Sequence, residues 1–275
     1  MRYKDLIIEG EEKLRASNID VNLSHLLINH YLNIKEIDKI TNKLLTNRDV
    51  TRYREAVKKL IKGEPPQYIM GHVIFYGYNF KISKDTLIPR FETEELVYNT
   101  IKYIKKKFKK ETSIVDIGTG SGVIGITLKK ELPDVSVTVT DISKKALALA
   151  KANAATLNAD ISVIKSNMLE KINDKYDVII SNPPYIKEDA AIMEIVKEHE
   201  PHLALYGGKD GLKYYRCIFE NASKILKERF LIAFEIDELL VEDLVLLIKK
   251  HFSNSQYEFK KDMQGRKRML FIYNN

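Results

Sequence analysis

Long apolar runs are missing from this sequence. None approaches the about 18 residues that a bilayer-spanning helix requires, so no membrane segment is expected. The opening residues, MRYKDLIIEGEEKLRAS, are charged throughout and lack the apolar core of a secretory signal. Cys217 is the only cysteine, which excludes an internal disulfide and a thiolate metal cluster. The six histidines form no H-E-x-x-H pattern. His199 and His202 lie three apart, but Pro201 intervenes and no third ligand is nearby, so they read as surface or packing residues. Internal repeats and low-complexity segments are absent as well. A cytoplasmic protein without a metal is expected.

What is present is ordinary for a folded chain: 275 residues, 44% hydrophobic and 30% charged, enough for a catalytic domain with a small one attached. The net charge of +7 admits two readings, a lysine-rich solvated surface or an anionic partner, and charge alone does not choose between them.

The first ~65 residues read as helical by apolar spacing. Leu6, Ile7 and Leu14 fall near one face, and Asp20 precedes a segment carrying Leu23, Leu26, Leu27 and Leu32. Cap-type residues at 47–51 open TRYREAVKKLIKG, which Gly63 can close at C′. In GEPPQYIMGHVIFYGYNFKIS, Pro65-Pro66 cannot continue that helix. The aromatic and β-branched residues that follow predict a hairpin with Gly77 at its turn. Residues 92–110 predict a helix with Thr93 as N-cap, Glu92, Glu94 and Glu95 near its start, and Lys105, Lys106, Lys107, Lys109 and Lys110 at its end. From Thr112 onward, the short apolar runs SIVD, VSVTVT, ISVIKS, YDVIIS and FLIAFEI alternate with helical stretches, the pattern of a parallel sheet covered on both faces. The tail predicts two strands joined at Gln264-Gly265, an antiparallel edge pair.

The first strand of that series runs into Asp116-Ile117-Gly118-Thr119-Gly120-Ser121-Gly122, and a helix follows at once. Glycines there let the backbone turn tightly and approach a ligand. The spacing D-x-G-x-G-x-G matches neither the dinucleotide fingerprint nor a Walker loop, which favours a ligand without phosphates. Asp141 ends the next strand, where an acid can accept hydrogen bonds from both hydroxyls of a ribose. A ligand-free turn is the bland reading of the glycine loop. Asp141 in the matching topological position weighs against it. The pairing resembles the nucleoside-binding half of class I S-adenosylmethionine methyltransferases.

The strand YDVIIS ends in Asn182-Pro183-Pro184-Tyr185. Two prolines stiffen an extended segment at the carboxyl end of the sheet. Asn182 offers a carbonyl acceptor, Pro183 a backbone carbonyl and Tyr185 a flat face. An amide or aniline-like NH2 is a poor nucleophile because its lone pair is delocalised. Two acceptors on its N–H bonds orient it and stabilise the positive charge that develops during methyl transfer. No strong base is required, since the proton becomes acidic only once the methyl has arrived. The bland alternative is a proline-stiffened turn with Asn182 as a cap. Agreement with the glycine loop on one crevice weighs against it.

GEPPQYIMG, FYGYNF, LIPRFETEELV, VDIGTGSGVIGI, TDISKKALALAKANA, VIISNPPYI and EPHLALYGGKDGLKYYRCI together resemble the PrmC/HemK family of protein-(glutamine-N5) methyltransferases over nearly the whole chain. The resemblance implies an α/β fold: a class I S-adenosylmethionine methyltransferase (Rossmann-like) seven-stranded sheet with an antiparallel edge hairpin, preceded by a small α-helical bundle. The divisions expected are 1–65 for the helical, substrate-engaging domain, 66–90 for the hairpin linker and 91–275 for the methyltransferase domain. It implies methylation of the glutamine amide in the Gly-Gly-Gln motif of class 1 peptide chain release factors, with S-adenosyl-L-homocysteine as product. By matching, Gly118, Thr119, Gly120, Ser121 and Gly122 would hold the methionine part of the cofactor, Asp141 its ribose, and Met168 would lie near its adenine. Asn182 would face cofactor and substrate, with Pro183, Pro184 and Tyr185 around the glutamine amide. A monomer that requires no nucleic acid is expected.

Phe91 stands where the family normally has proline, Asn167-Met168 replaces an acidic-plus-bulky pair, and Asp237 replaces a glycine. An adenine-N6 DNA methyltransferase is the rival enzyme, because adenine also carries a planar NH2 and the basic charge suits DNA. No region resembles a DNA target-recognition domain, however. A non-catalytic RNA- or ribosome-binding module is the third reading, and the intact loop and Asn182–Tyr185 argue against it.

Overall fold

The structure, a computed structural model, describes residues 1–32, 35–108 and 111–274. The chain forms two compact units, Met1–His72 with Glu194–His199, and Val73–Met193 with Glu200–Asn275.

The first unit is helical: α1 (Tyr3–Ala16), α2 (Asn22–Leu32), α3 (Glu36–Ile40), α4 (Asn47–Ile61) and α5 (Pro66–Met70). Leu6, Ile7 and Leu14 pack with Leu27 and Ile28 of α2 and with Val50, Tyr53, Val57 and Leu60 of α4. Leu26, on the other side of α2, stays exposed. Each fully buried aliphatic side chain contributes about 1.5–3 kcal/mol. The Thr46 hydroxyl caps α4 by accepting from the Asp49 N–H at 3.2 Å, and Gly63 takes the left-handed conformation (φ 84°) just past its end. α4 has already ended at Ile61 when Pro65-Pro66 arrive, and Pro66 opens α5, because a first-turn proline has no amide that needs a partner.

A hairpin follows, β1 (His72–Phe75) and β2 (Tyr78–Lys81), and all of it but His72 belongs to the second unit. Tyr76 (φ 51°) and Gly77 (φ 79°) are both left-handed, the turn that matches strand twist in a two-residue hairpin. Next come α6 (Phe91–Lys107), β3 (Ser113–Ile117), α7 (Val123–Glu131), β4 (Ser136–Asp141), α8 (Lys144–Leu157), β5 (Ser162–Lys165) and β6 (Tyr176–Ser181). The short α9 (Glu194–His199) belongs to the helical unit. The chain then continues through α10 (Lys213–Ile225), β7 (Leu226–Glu235), α11 (Val241–His251), β8 (Gln256–Lys261) and β9 (Lys267–Tyr273).

Seven strands form one sheet in the order β5-β4-β3-β6-β7-β9-β8, parallel except for β9, which runs against β7 and β8. Successive residues point to opposite faces. Val115, Ile117, Ile179, Ile232 and Phe234 enter one core with α10 and α11. Ile114, Val178, Ile180, Leu231 and Ala233 enter the other with α6 and α7. The expected doubly covered sheet with an antiparallel edge pair is therefore what forms.

α6 departs from expectation at its start. It begins at Phe91 with Arg90 as N-cap and no side-chain cap, and Thr93 lies within the first turn, its hydroxyl given to Glu235 instead. Glu92 and Glu94 occupy the first turn and Lys105, Lys106 and Lys107 the last, the polarity that suits the helix dipole. Lys109 and Lys110, expected to extend the same helix, lie outside the described residues.

Candidate active site

The strand order reverses between β3 and β6, where ligands of open α/β sheets collect at the carboxyl ends. Ile117 pairs with Ser181 across these two strands, and the Ser181 hydroxyl donates to the Ile117 carbonyl at 2.6 Å. Gly118 and Asn182 therefore leave the sheet side by side. On the other flank, Ile117 pairs with Thr140, which brings Asp141 alongside. One cleft of about 260 Å³ is lined by Gly118, Thr119, Gly120, Ser121, Asp141, Met168, Asn182 and Pro184. Pro183, Tyr185 and Gly122 stand outside this lining.

Gly118 (φ 71°) and Gly120 (φ 56°) are left-handed, and a Cβ at either would enter open space. This is a bare backbone surface with room for a ligand against it. Gly122 serves packing: its Cβ would lie 2.7 Å from Ile126 Cδ1 and 3.1 Å from Ala150 Cβ, so it lets α7 lie against α8.

Two carboxylates shape the loop. Asp141 accepts from the Gly120 N–H at 2.9 Å and the Ser143 N–H at 2.8 Å, one on each oxygen. A carboxylate has about four lone-pair sites, so each oxygen keeps capacity for a further donor such as a ribose hydroxyl. Burial pushes Asp141 above the usual carboxylate range, against the hydrogen bonds from backbone amides. Asp116 is fully buried and accepts from the Thr119 hydroxyl and, at 3.0 Å, from the Gly125 N–H. Burial pushes it up to about 7.

Around Asn182, the side-chain NH2 donates to Thr93 Oγ1 at 3.2 Å. Thr93 donates to Glu235 Oε2 at 2.6 Å, and the Tyr185 hydroxyl lies 3.4 Å from Glu235 Oε1. Burial above all, and then the Glu235 charge, drive the Tyr185 hydroxyl well above the usual phenol range.

Several contributors escaped sequence reasoning. Asn153, buried on α8, donates to the carbonyls of Ser121 (2.8 Å) and Lys81 (2.9 Å) and accepts from the Lys81 N–H (2.9 Å), which ties the glycine loop to β2. Gly207 and Gly211 admit a close backbone approach. A Cβ on Gly207 would lie 2.6 Å from the Pro184 carbonyl oxygen, and one on Gly211 2.5 Å from that of Tyr185. Gly207 donates to the Ile186 carbonyl at 2.8 Å, and Ile186 to that of Leu205 at 3.0 Å. The EPHLALYGG stretch thus clamps the tetrapeptide. Its buried Glu200 binds the Arg90 guanidinium and accepts from the Ile88 N–H at 3.2 Å, which carries the clamp to the start of α6. Thr86, Leu87, Pro89, Leu203 and Tyr214 also line the cleft without having carried a signal of their own in the sequence, and Thr93, expected only as an N-cap, lines it too. Met168 has φ 46°, an uncommon conformation for a bulky residue, at the cleft wall. Phe91, at the departure from the family's proline, is 58% exposed.

Residues 5–71 match the family described as PrmC N-terminal domain, and residues 97–210 that described as Methyltransferase small domain. The release factor glutamine methyltransferase of Bacillus anthracis is 35% identical over 279 residues, covering 98% of this chain and 99% of that protein. The protein of the same name from Bacillus subtilis is 40% identical, covering 81% of this chain and 80% of its own. A solved methyltransferase from Pyrococcus furiosus aligns with a TM-score of 0.53 at 19% identity, over 83% of this chain and 98% of that one, a likeness of fold. With relatives of one name matched over 98% and 81% of its length, this chain belongs to the release factor glutamine methyltransferase family.

Proposed function

We propose that this protein transfers a methyl group from S-adenosyl-L-methionine to the side-chain amide nitrogen of the glutamine in the Gly-Gly-Gln motif of class 1 peptide chain release factors. The observation that carries the reading is the adjacency of two loops. The register Ile117 to Ser181 sets a bare glycine backbone and a carboxylate beside Asn182 in one cleft.

The donor set suits the cofactor. Gly118 and Gly120 present backbone without a Cβ in the way, Asp141 keeps acceptor capacity for ribose hydroxyls, and Ile142, Met168 and Leu203 supply apolar wall for an adenine. When bound, S-adenosylmethionine supplies the electrophilic methyl on its sulfonium.

The chain's own part is to make an unreactive nitrogen attack. The Asn182 carbonyl oxygen accepts one N–H of the glutamine amide and the backbone carbonyl of Pro183 the other. Two acceptors fix the nitrogen and stabilise its growing positive charge. One N–H proton leaves to solvent after transfer, so no histidine base is called for. The PrmC-like helical unit would help to engage the release factor.

Incubation with labelled S-adenosylmethionine and either release factor or unmethylated DNA, followed by mass spectrometry of the acceptor, tests this. A single methyl on the Gly-Gly-Gln glutamine is the expected product. Label appearing on adenine and not on the release factor refutes it.

A further inference from the structure

An asparagine side chain has two ends of nearly equal shape, a carbonyl oxygen and an NH2. Only the carbonyl end can accept from a substrate N–H. The NH2 end would meet it donor to donor. Which end of Asn182 is turned away from the substrate is decided by Thr93, 3.2 Å from Asn182 Nδ2.

A hydroxyl both donates and accepts, so Thr93 alone would tolerate either end of the amide. Glu235 removes the choice. Thr93 donates its single proton to Glu235 Oε2 at 2.6 Å, which leaves only lone pairs toward Asn182. Those accept from NH2 and repel the carbonyl. Tyr185 donates to the other oxygen of Glu235 at 3.4 Å, so one buried carboxylate reaches both ends of the tetrapeptide. The backbone supports the arrangement. Ser181 pairs with Phe234, so Asn182 and Glu235 emerge as neighbours, and the Tyr215 hydroxyl holds the Glu235 carbonyl at 2.7 Å.

We infer that Glu235 and Thr93 are positioning residues for methyl transfer, fixing the polarity of the Asn182 amide so that its carbonyl oxygen faces the acceptor nitrogen. The inference rests on the role assigned to Asn182 above. It gives the ETE portion of LIPRFETEELV a task in the chemistry, carried through a bond between residues 142 apart in sequence.

The test uses the full-length chain and release factor, measuring kcat, KM and calorimetric cofactor affinity for the wild type, Thr93→Val, Thr93→Ser and Asn182→Ala, and for Thr93→Val combined with Asn182→Ala. Thr93→Val is expected to lower kcat ~10-fold, the order expected from a misplaced reacting group, with KM and cofactor affinity unchanged. Thr93→Ser restores most of kcat. In the Asn182→Ala background, Thr93→Val costs nothing more, since its effect runs through Asn182. If Thr93→Val does not fold, Thr93→Ala carries the same comparison, with the same loss expected and the same disappearance in that background. An unchanged kcat, a serine variant as impaired as the valine one, or a full additional loss in the Asn182→Ala background overturns the inference. Failure of the underlying reading looks different: wild type that leaves the release factor unmethylated, or Asn182→Ala at full activity.

Discussion

Replacing Glu235 by glutamine isolates what burying this carboxylate's charge costs the fold, because the amide keeps an acceptor for Thr93. Glu235 is only 2% exposed. Burial is the dominant influence on it and raises its pKa. Hydrogen bonds from Thr93 and Tyr185 and the Arg268 charge pull it down, while Glu92 pushes it up, and the balance stands at about 7 against an ordinary 4.5. Below pH 4.5 the group is protonated in folded and unfolded chains alike, and the shift has no effect. Between pH 4.5 and 7 the unfolded chain ionises while the folded one does not, so stability falls as pH rises. Above 7 the loss is complete. At about 1.4 kcal/mol per pH unit, the deficit reaches ~3 kcal/mol. Glutamine of the same shape has no proton to lose. The difference in unfolding free energy between Glu235→Gln and wild type should therefore shift by up to ~3 kcal/mol in favour of the variant from pH 4.5 to 8. Urea unfolding at a series of pH values measures it. Asp116, also near 7, titrates in both proteins and cancels in the difference. A stability difference that stays flat across this range refutes the reasoning.

Asn182→Ala removes a direct acceptor and should lower turnover by ~10²-fold or more, as loss of comparable transition-state contacts does, with steady-state methylation as the measurement. Asp141→Ala should weaken S-adenosylmethionine binding by calorimetry while far-ultraviolet circular dichroism stays unchanged, because it faces the cleft and also steadies the Gly120 amide. Gly125→Ala should destabilise by about 1–3 kcal/mol in denaturant unfolding. Its Cβ would sit 2.5 Å from Val139 Cγ1, and a branched residue on a central strand cannot move aside.

The sheet was legible because its strands are near-continuous apolar runs and a glycine, an acid or Asn-Pro stands where each key strand ends. Hydrophobic period and turn chemistry are local, and they located Gly118–Gly122, Asp141 and Asn182 at one edge of the sheet. Thr93 shows where locality fails. A threonine ahead of an apolar-periodic stretch satisfies the rule for an N-cap, yet the helix starts two residues earlier and its hydroxyl goes to Glu235 on a distant strand. Glu200 with Arg90, and Gly207 with Pro184, are likewise partners that no window along the sequence brings together. Gly122 was legible as a loop glycine but not as a spacer between helices, because Ala150 belongs to another helix. Tyr185 was expected to offer a stacking face around the substrate amide, but among the described residues it does not line the cleft, and its hydroxyl points to Glu235.

The glycines opposite Pro184 and Tyr185 give the enzyme two separable halves. The wall that would hold the ribose and the methionine part is built on β3 and β4, whereas the acceptor seat keeps its shape only while a later stretch of chain lies against it, main chain on main chain. Side-chain bulk introduced at Gly207 or Gly211 would spoil the seat and spare the wall. Such a protein would still load its donor and have nowhere to spend it, a competitor for cofactor rather than a slower catalyst.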